Sequence, residues 1–595
     1  MLVLWLFAIP LQTTAQDRYK AEHNYLKSAS GNELGTLRFT HFFPDTSLDV
    51  AHVFLPFSTN GLFGLPSAPL RFQTTLPSVG FSFFTPPYEG QLTPTYYQTK
   101  GPFVDLNGFF GGKDFQIVKL FYTQTFFSRL NLSLKMDRMN NAGYYDRQSA
   151  FMQRLMSTVN YTNQQSTIGF NFYYYGNATR HAENGGLYDT LMTDSMALLT
   201  KSLLQTHLSG ASRDNRENTL QLNPWWRLGG NDSTGAHYLK LTSKLFNGLY
   251  RYTDSQLQND NYYQHFYIDS ATTNDSARVR IFKNQLGYSY VKKSMQLGAG
   301  ALFEIARTWQ LRDSSFTNTG LFVQGAWQKS DTSANENFGA LRFEYITNGN
   351  NAGNYHFSGQ HTMVLDSKKQ RWLRVDAAAG LRNADYIYYK WNSNHFNYQQ
   401  ALSKVNELKT EFTYQYNKEI KLSAQYLSTT NFVYFNAQAL PEQFKGTITN
   451  TAVRLQLGHT WLKHLRTTLD YTRQLTTKRL YMRVPPSITK AGVYYYGQHY
   501  KNVLEVQTGL ELTVIESFQS LAYQPATQAF YLQNNFTGSY PYVDLVLNVH
   551  IRPVTATIAI RNTLQGLVGS NYGITPGYYQ PDRTIWLGLR WLFYD

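Results

Sequence analysis

The chain has 595 residues with a mean hydropathy of −0.41 and 16% aromatic residues. After the first dozen positions no uncharged apolar stretch approaches the roughly 20 residues a membrane-crossing helix needs. Its 54 Lys and Arg against 39 Asp and Glu leave a net charge of +15, dispersed singly along alternating segments with no basic run or nucleic-acid motif. That balance points to anionic lipids and solutes and away from nucleic acid, while the absence of cysteine excludes a disulfide framework, a lipoprotein anchor and thiolate metal sites.

Residues 1–15 read as a secretory signal peptide: an apolar run from Met1 to Leu11, then Thr13, Thr14 and Ala15 as a small-residue cleavage site before Gln16. Residues 16–100 lack sustained alternation and are punctuated by Pro44, Pro56, Pro66, Pro69, Pro77, Pro86, Pro87 and Pro94. They are expected to form an irregular segment that is periplasmic or enters a lumen, with the turn-rich stretch Asn60 to Leu70 inside it.

From 101 to 595 alternating segments recur. Leu130, Leu132, Leu134 and Met136 share one face, opposite Asn131, Ser133, Lys135 and Asp137; Ile168, Phe170 and Phe172 oppose Thr167, Gly169 and Asn171. Further on, Leu239, Leu241 and Leu245 oppose Lys240, Thr242 and Lys244, and Leu504, Val506, Leu510 and Leu512 oppose Glu505, Gln507, Gly509 and Glu511. Side chains of period two place such sets on opposite faces of a strand. Tight turns are expected at Ser128-Arg129, 417–419, 463–464 and 553–554, and long polar connections at 177–217 and 251–277. Short turns alternating with long loops, over about 22 segments, predict an all-β fold: a transmembrane antiparallel up-and-down β-barrel of even strand number, roughly 16–22.

The last segment has Ile585, Leu587, Leu589, Trp591 and Phe593 on one face and Trp586, Gly588, Arg590 and Leu592 on the other. Gly588, Trp591 and Phe593 resemble the C-terminal assembly signal of outer-membrane barrels, with Trp586 where that signal carries a polar residue and two residues following the aromatic. The resemblance implies the barrel-assembly machinery as a partner.

If the apolar faces meet lipid, the charged residues point inward, because a charge facing lipid at the midplane costs roughly 2–4 kcal/mol. The candidate pore-lining residues are then Lys135, Arg154, Lys240, Lys244, Arg342 and Arg374 before about residue 380, followed by Glu407, Glu411, Glu505 and Glu511. Their order along the chain predicts a basic arc and an acidic arc in different parts of the wall.

Catalytic signals are weak. The stretch Gly108 to Asp114 lacks the spacing and the following Ser or Thr of a phosphate loop, and glycines between two alternating runs read as a hairpin turn. The 14 histidines form no metal-binding pair on a helix, and His459 and His550 are the strand histidines with a candidate polar role. No enzyme activity, catalytic residue, metal site or cofactor is expected.

The sequence also resembles the putative porins of Bacteroidota. The carrying stretches are Asn60 to Leu70, Tyr96 to Thr99 with Pro102 to Leu106, Gly111 to Asp114, Asp137 to Met139 with Gly143 to Tyr145, and Glu183 to Gly186. Phe530 to Asn534 and Tyr540 to Leu545 extend the resemblance toward the end of the chain. It implies a pore-forming barrel in the cell outer membrane, in contact with lipid. The basic charge balance then points to lipopolysaccharide as a partner and, with the open lumen, to passive diffusion of small hydrophilic solutes with mild anion preference. The alternative is a structural barrel that anchors a surface assembly and has no open pore.

Overall fold

The computed structural model describes residues 101–594 apart from 189–200, 232–233, 294, 311–312, 330–336, 367–370, 418, 463, 500–502, 552 and 570–571. Before residue 101 it describes Leu34–Gly35, Phe57–Thr59, Ser67–Pro69, Pro94, Tyr96–Tyr97 and Thr99, so the expected signal peptide and most of the stretch from Asn60 to Leu70 lie outside the described residues.

The described residues form a closed antiparallel barrel of 22 strands. The first seven are β1 (Phe103–Gly111), β2 (Phe115–Phe126), β3 (Leu130–Asn141), β4 (Ala150–Thr162), β5 (Ile168–Glu183), β6 (Ala211–Asn231) and β7 (Gly235–Asp254). The next seven are β8 (Thr273–Lys292), β9 (Met295–Trp309), β10 (Asp313–Lys329), β11 (Asn337–Gly349), β12 (Tyr355–Val364), β13 (Trp372–Arg382) and β14 (Val405–Gln415). The wall is completed by β15 (Ile420–Phe435), β16 (Pro441–Trp461), β17 (Leu465–Thr476), β18 (Ser487–His499), β19 (Leu504–Ile515), β20 (Tyr542–Ile551), β21 (Val554–Arg561) and β22 (Thr584–Tyr594).

Alternation decides the two faces. In β22, Ile585, Leu587, Leu589 and Trp591 are 58%, 53%, 49% and 39% exposed, whereas Trp586 between the first two is 7% exposed. The exposed set is therefore the outer face, and Arg590 points into the lumen as expected. Backbone donors and acceptors are paired around the whole ring, which is what lets a sheet sit in hydrocarbon without an open edge.

The ring closes where β22 pairs with β1. On the inner side of that seam Arg590 donates two hydrogen bonds to Asp105, at 3.0 and 2.7 Å. Trp586 stacks on Phe115 with ring centroids 4.4 Å apart. Gly588 lies opposite Phe109, and a Cβ there would meet the Phe109 ring at 2.5 Å, so this glycine is required by the packing of the seam.

One end of the barrel has short connections, of which 330–336 and 365–371 are the longest, and the other end carries the long ones at 184–210, 255–272, 383–404, 516–541 and 562–583. The turn after β1 is a hairpin as expected, with Lys113 and Asp114 both at positive φ (62° and 55°), the signature of a tight primed turn. The expected long loops at 177–217 and 251–277 are shorter than predicted, because β5, β6, β7 and β8 continue into them. Near this end the outward residues are polar, for example Arg180 and Arg216. The apolar alternation that marks a strand within lipid therefore fades while the backbone ladder goes on.

Tyr96, Tyr97 and Thr99, ahead of β1, lie against the inner face of the wall. Tyr96 and Tyr97 are buried, Tyr97 packs on Phe121 of β2 at 5.1 Å, and Thr99 exchanges hydrogen bonds of 2.8 and 3.0 Å with Thr125. Phe57–Thr59 pairs with Ser67–Pro69, and this small hairpin lies beside Gly573–Thr575 of a long connection.

Candidate functional site

All ten candidate pore-lining residues stand on inner positions of their strands, and most are engaged by a neighbour. Lys135 lies 5.0 Å from the Phe121 ring and 5.6 Å from that of Tyr97. Arg154 pairs with Asp137 at 2.9 Å, and Lys240 sits 5.9 Å from the Tyr238 ring. Lys244 is exposed to the interior of the barrel. Arg342 pairs with Glu344 at 3.1 Å and donates to Gln324 at 3.1 Å, while Arg374 grips Asp376 through two 2.7 Å bonds.

On the later strands Glu407 pairs with Arg382 at 3.2 Å and Glu411 with Lys409 at 3.4 Å. Glu505 accepts a hydrogen bond from Gln498 at 3.3 Å, and Glu511 accepts one from Tyr494 at 2.8 Å. The expected division into a basic and an acidic arc is therefore not found. Arg342 with Glu344, Arg374 with Asp376 and Lys409 with Glu411 are two residues apart on one strand, hence on the same face, and each charge is answered locally.

Two cavities open along the inner wall of β8–β14. The one nearer the short-turn end has a volume of about 460 Å³ and is lined by Gln296, Gln324, Arg342, Gln360, Asp376 and Lys409. The other, of about 340 Å³, lies toward the long-loop end among Lys283, Glu304, Glu344, His356, Arg382 and Tyr386. Lys283 reaches Glu344 at 2.7 Å and Arg342 reaches the same carboxylate at 3.1 Å, so one three-charge cluster stands between the two spaces. Lys283, Glu344 and Arg342 thus stand between two cavities on one side of the barrel. Of these three only Arg342 was singled out from sequence. The signal that identifies Glu344 is its position two residues after Arg342; Lys283 is visible only through the folded barrel.

The long connections fold inward over the rest of the lumen. A hairpin of Phe518–Gln524 and Ala529–Thr537 leaves the wall between β19 and β20, crosses the lumen and docks on β5 and β6. There the Tyr523 hydroxyl donates to Glu183 at 2.7 Å, Arg213 donates to the Pro525 carbonyl, and Asn215 donates to Gln528 at 2.9 Å. Glu183 also holds Arg213 at 3.4 Å and His181 at 3.1 Å, and all three side chains are buried. Its backbone bridges to β15 through Phe435 and Tyr531.

The connection 383–404 adds an aromatic layer, with Tyr386, Ile387, Trp391 and Tyr398 packed against inner residues such as Tyr250 and Val279. Within it His395 stacks on Tyr263 at 3.6 Å, accepts from Thr273 at 2.7 Å through Nε2 and donates through Nδ1 to the His265 carbonyl at 3.0 Å. Burial pushes His395 down to about 4, so the neutral ring is the stable form.

No group of three or more His, Cys, Asp or Glu able to hold a metal occurs among the described residues. His550 bonds Thr555 at 3.0 Å on the inner wall, and His459 packs edge-on against Trp461.

Three solved structures share the fold at low identity. The chain superposes on the copper transporter OprC with a TM-score of 0.59 at 11% identity, covering 84% of this chain and 82% of that one. It superposes on BauA, the ferric preacinetobactin receptor from Acinetobacter baumannii, with a TM-score of 0.56 at 10% identity, covering 90% and 92%. For the FrpB iron transporter from Neisseria meningitidis the TM-score is 0.54 at 10% identity, with 83% and 81% covered. No curated protein matches the chain. The sequence profile of the family described as "Putative porin" matches residues 57–595, and the chain belongs to that family.

Proposed function

We propose that this barrel sits in the outer membrane, with its short turns in the periplasm, and passes small hydrophilic solutes along one side of its lumen without chemical change. The observation that carries the reading is the pair of cavities on the inner wall of β8–β14 with the Lys283–Glu344–Arg342 cluster between them. Their volumes lie toward the lower end of the roughly 300–1,000 Å³ typical of small-molecule sites, so the passage suits single small solutes. Clustered charges in a low-dielectric wall set which solutes pass, as in other charge-lined pores. No covalent step, cofactor or metal enters this reading.

A second reading has one observation in its favour. The inward hairpin and the buried Tyr96–Tyr97 segment occupy lumen space, an arrangement suited to a passage that opens only when an occupant or partner displaces them. Planar-bilayer recording of the purified protein tests both. Ohmic steps from the unmodified protein support passive passage, whereas silence that ends when residues 518–537 are deleted supports a closed passage. Silence from both forms would overturn a transport function.

A further inference from the structure

The outer face of β5–β9 changes character along its height. Leu220, Leu245, Phe282 and Ile305 form one outward row, each paired with the next across neighbouring strands, and Leu220 and Phe282 are 45% and 41% exposed. This row belongs to the lipid-facing band. Two residues further toward the long-loop end, about 6.6 Å along the strand, the row becomes Asn218, Asn247, Arg280 and Arg307. The next row holds Arg216, Leu249, Arg278 and Trp309, and the one above it Arg180, Asp214 and Arg251.

Six arginines therefore project from five adjacent strands immediately above the apolar band. The one acid among them, Asp214, is shared by Arg180 at 3.3 Å and Arg216 at 2.8 Å. Arg251, Arg278, Arg280 and Arg307 are exposed, and no carboxylate pairs with them among the described residues. Arg280 and Arg307 stand directly opposite each other, a placement that is destabilising for like charges; Arg280 donates to Asn247 at 2.8 Å and lies 5.9 Å from the Trp309 ring. On the far arc the outward bases Lys445 and Arg473 lie on β16 and β17, and Arg473 is already tied to Glu516 at 2.7 Å.

We propose that the arginines of β5–β9 form a binding site for phosphorylated lipid headgroups of the surrounding outer leaflet, of the lipopolysaccharide type. Guanidinium groups match phosphate oxygens bidentately, and their position just above the lipid-facing row is the height at which a glycolipid presents its phosphates once its acyl chains lie along the wall. Those chains would rest on Leu220, Leu245, Phe282 and Ile305 while the headgroup neutralises Arg278, Arg280 and Arg307. The inference rests on the outer-membrane location proposed above.

The test is co-purification and vesicle binding of the full-length folded protein. Wild type is expected to retain bisphosphorylated lipid A through detergent exchange, and the variant R251Q/R278Q/R280Q/R307Q to retain at least about tenfold less, since four cationic contacts to the charged lipid surface are lost. The four-lysine version should regain much of the retention, and K445Q should match wild type. Folding of each variant is read from its heat-dependent shift in gel mobility. Equal retention by the glutamine variant, equal retention of dephosphorylated lipid A by wild type, or displacement of the lipid by millimolar inorganic phosphate would each overturn the site. Cell fractionation is a separate readout: a protein absent from the outer membrane that still shows phosphate-dependent binding in vesicles would fail the location and leave the site standing.

Discussion

Tyr523 and Glu183, 340 positions apart in the chain, meet inside the barrel, where the tyrosine hydroxyl donates to the buried carboxylate at 2.7 Å. This contact and the Arg213 bond to Pro525 fasten the hairpin of residues 518–537 to the wall on the far side of the lumen. Removing the Tyr523 hydroxyl by Tyr523→Phe should cost about 1.5–3 kcal/mol, the range for a hydrogen bond to a charged group. Glu183→Ala should cost more, roughly 3–5 kcal/mol locally, because it leaves Arg213 buried without its carboxylate. Both changes act on the hairpin and spare the strand ladder. The expected result is more frequent or larger conductance steps with unchanged heat resistance of the folded band; unchanged conductance would show that the hairpin does not limit passage.

Between the two cavities, Glu344 balances both Lys283 and Arg342. Glu344→Gln removes the shared acid and should shift reversal potentials in asymmetric KCl toward anion preference, while Arg342→Glu should shift them toward cations. Arg374→Glu, beside Asp376 at the lower cavity, should act in the same direction with smaller effect. Each shift should shrink between 0.1 and 1 M salt, over which the screening length falls from about 10 Å to about 3 Å. If the closed hairpin silences the channel, the same measurements are made on Tyr523→Phe. No response to any of the three changes would place the passage elsewhere in the lumen.

His395 gives the layer formed by 383–404 a pH dependence whose sign can be worked out. Its folded value, about 4, lies below the ordinary 6.5, so the open layer binds the proton more readily than the closed one. The stabilisation is present above about pH 6.5, falls as pH drops, and is fully lost below about pH 4, a total of roughly 3 kcal/mol at about 1.4 kcal/mol per unit. Hydrogen exchange of the amides in 393–396 should therefore quicken, after correction for intrinsic rates, between pH 7 and pH 4.5. The variant His395→Gln should flatten that dependence; an identical slope in the variant would assign it to another group.

The closing seam makes a fourth prediction. Trp591 and Phe593 stack at 4.5 Å on the outer face of the last strand, and Trp591→Ala with Phe593→Ala should lower the amount assembled in the membrane by removing lipid-facing apolar area. Gly588→Ala should also reduce heat resistance, by about 1–3 kcal/mol of overpacking against the Phe109 ring. Phe109→Ala in the same chain should restore part of it. Seam packing predicts that rescue, and a role for Gly588 confined to recognition during assembly does not.

The strands were legible in the sequence because an apolar outer face and a polar inner face impose a period of two. Leu130 to Met136 and Ile585 to Phe593 show it without any tertiary information. The same rule placed Arg342, Glu511 and the other candidates on the inner face, since an unpaired charge toward lipid is too costly. It failed above the band, where Arg180, Arg216 and Arg278 face outward: the solvent there tolerates charge on both faces, and polarity stops reporting direction. Pairing within a strand, as in Arg342 with Glu344, was present in the sequence as a two-residue spacing.

What only the tertiary structure decided are the contacts whose partners are far apart in the chain. The docking of Tyr523 on Glu183, the approach of Lys283 to Glu344 and the closure of β22 on β1 depend on how many strands the ring holds and where each long connection turns. Loop residues feel no periodic environment that would write their destination into a local pattern. The amino-acid sequence alone therefore determined a barrel wall and its polarity, and folding decided what fills that wall and where it is left open.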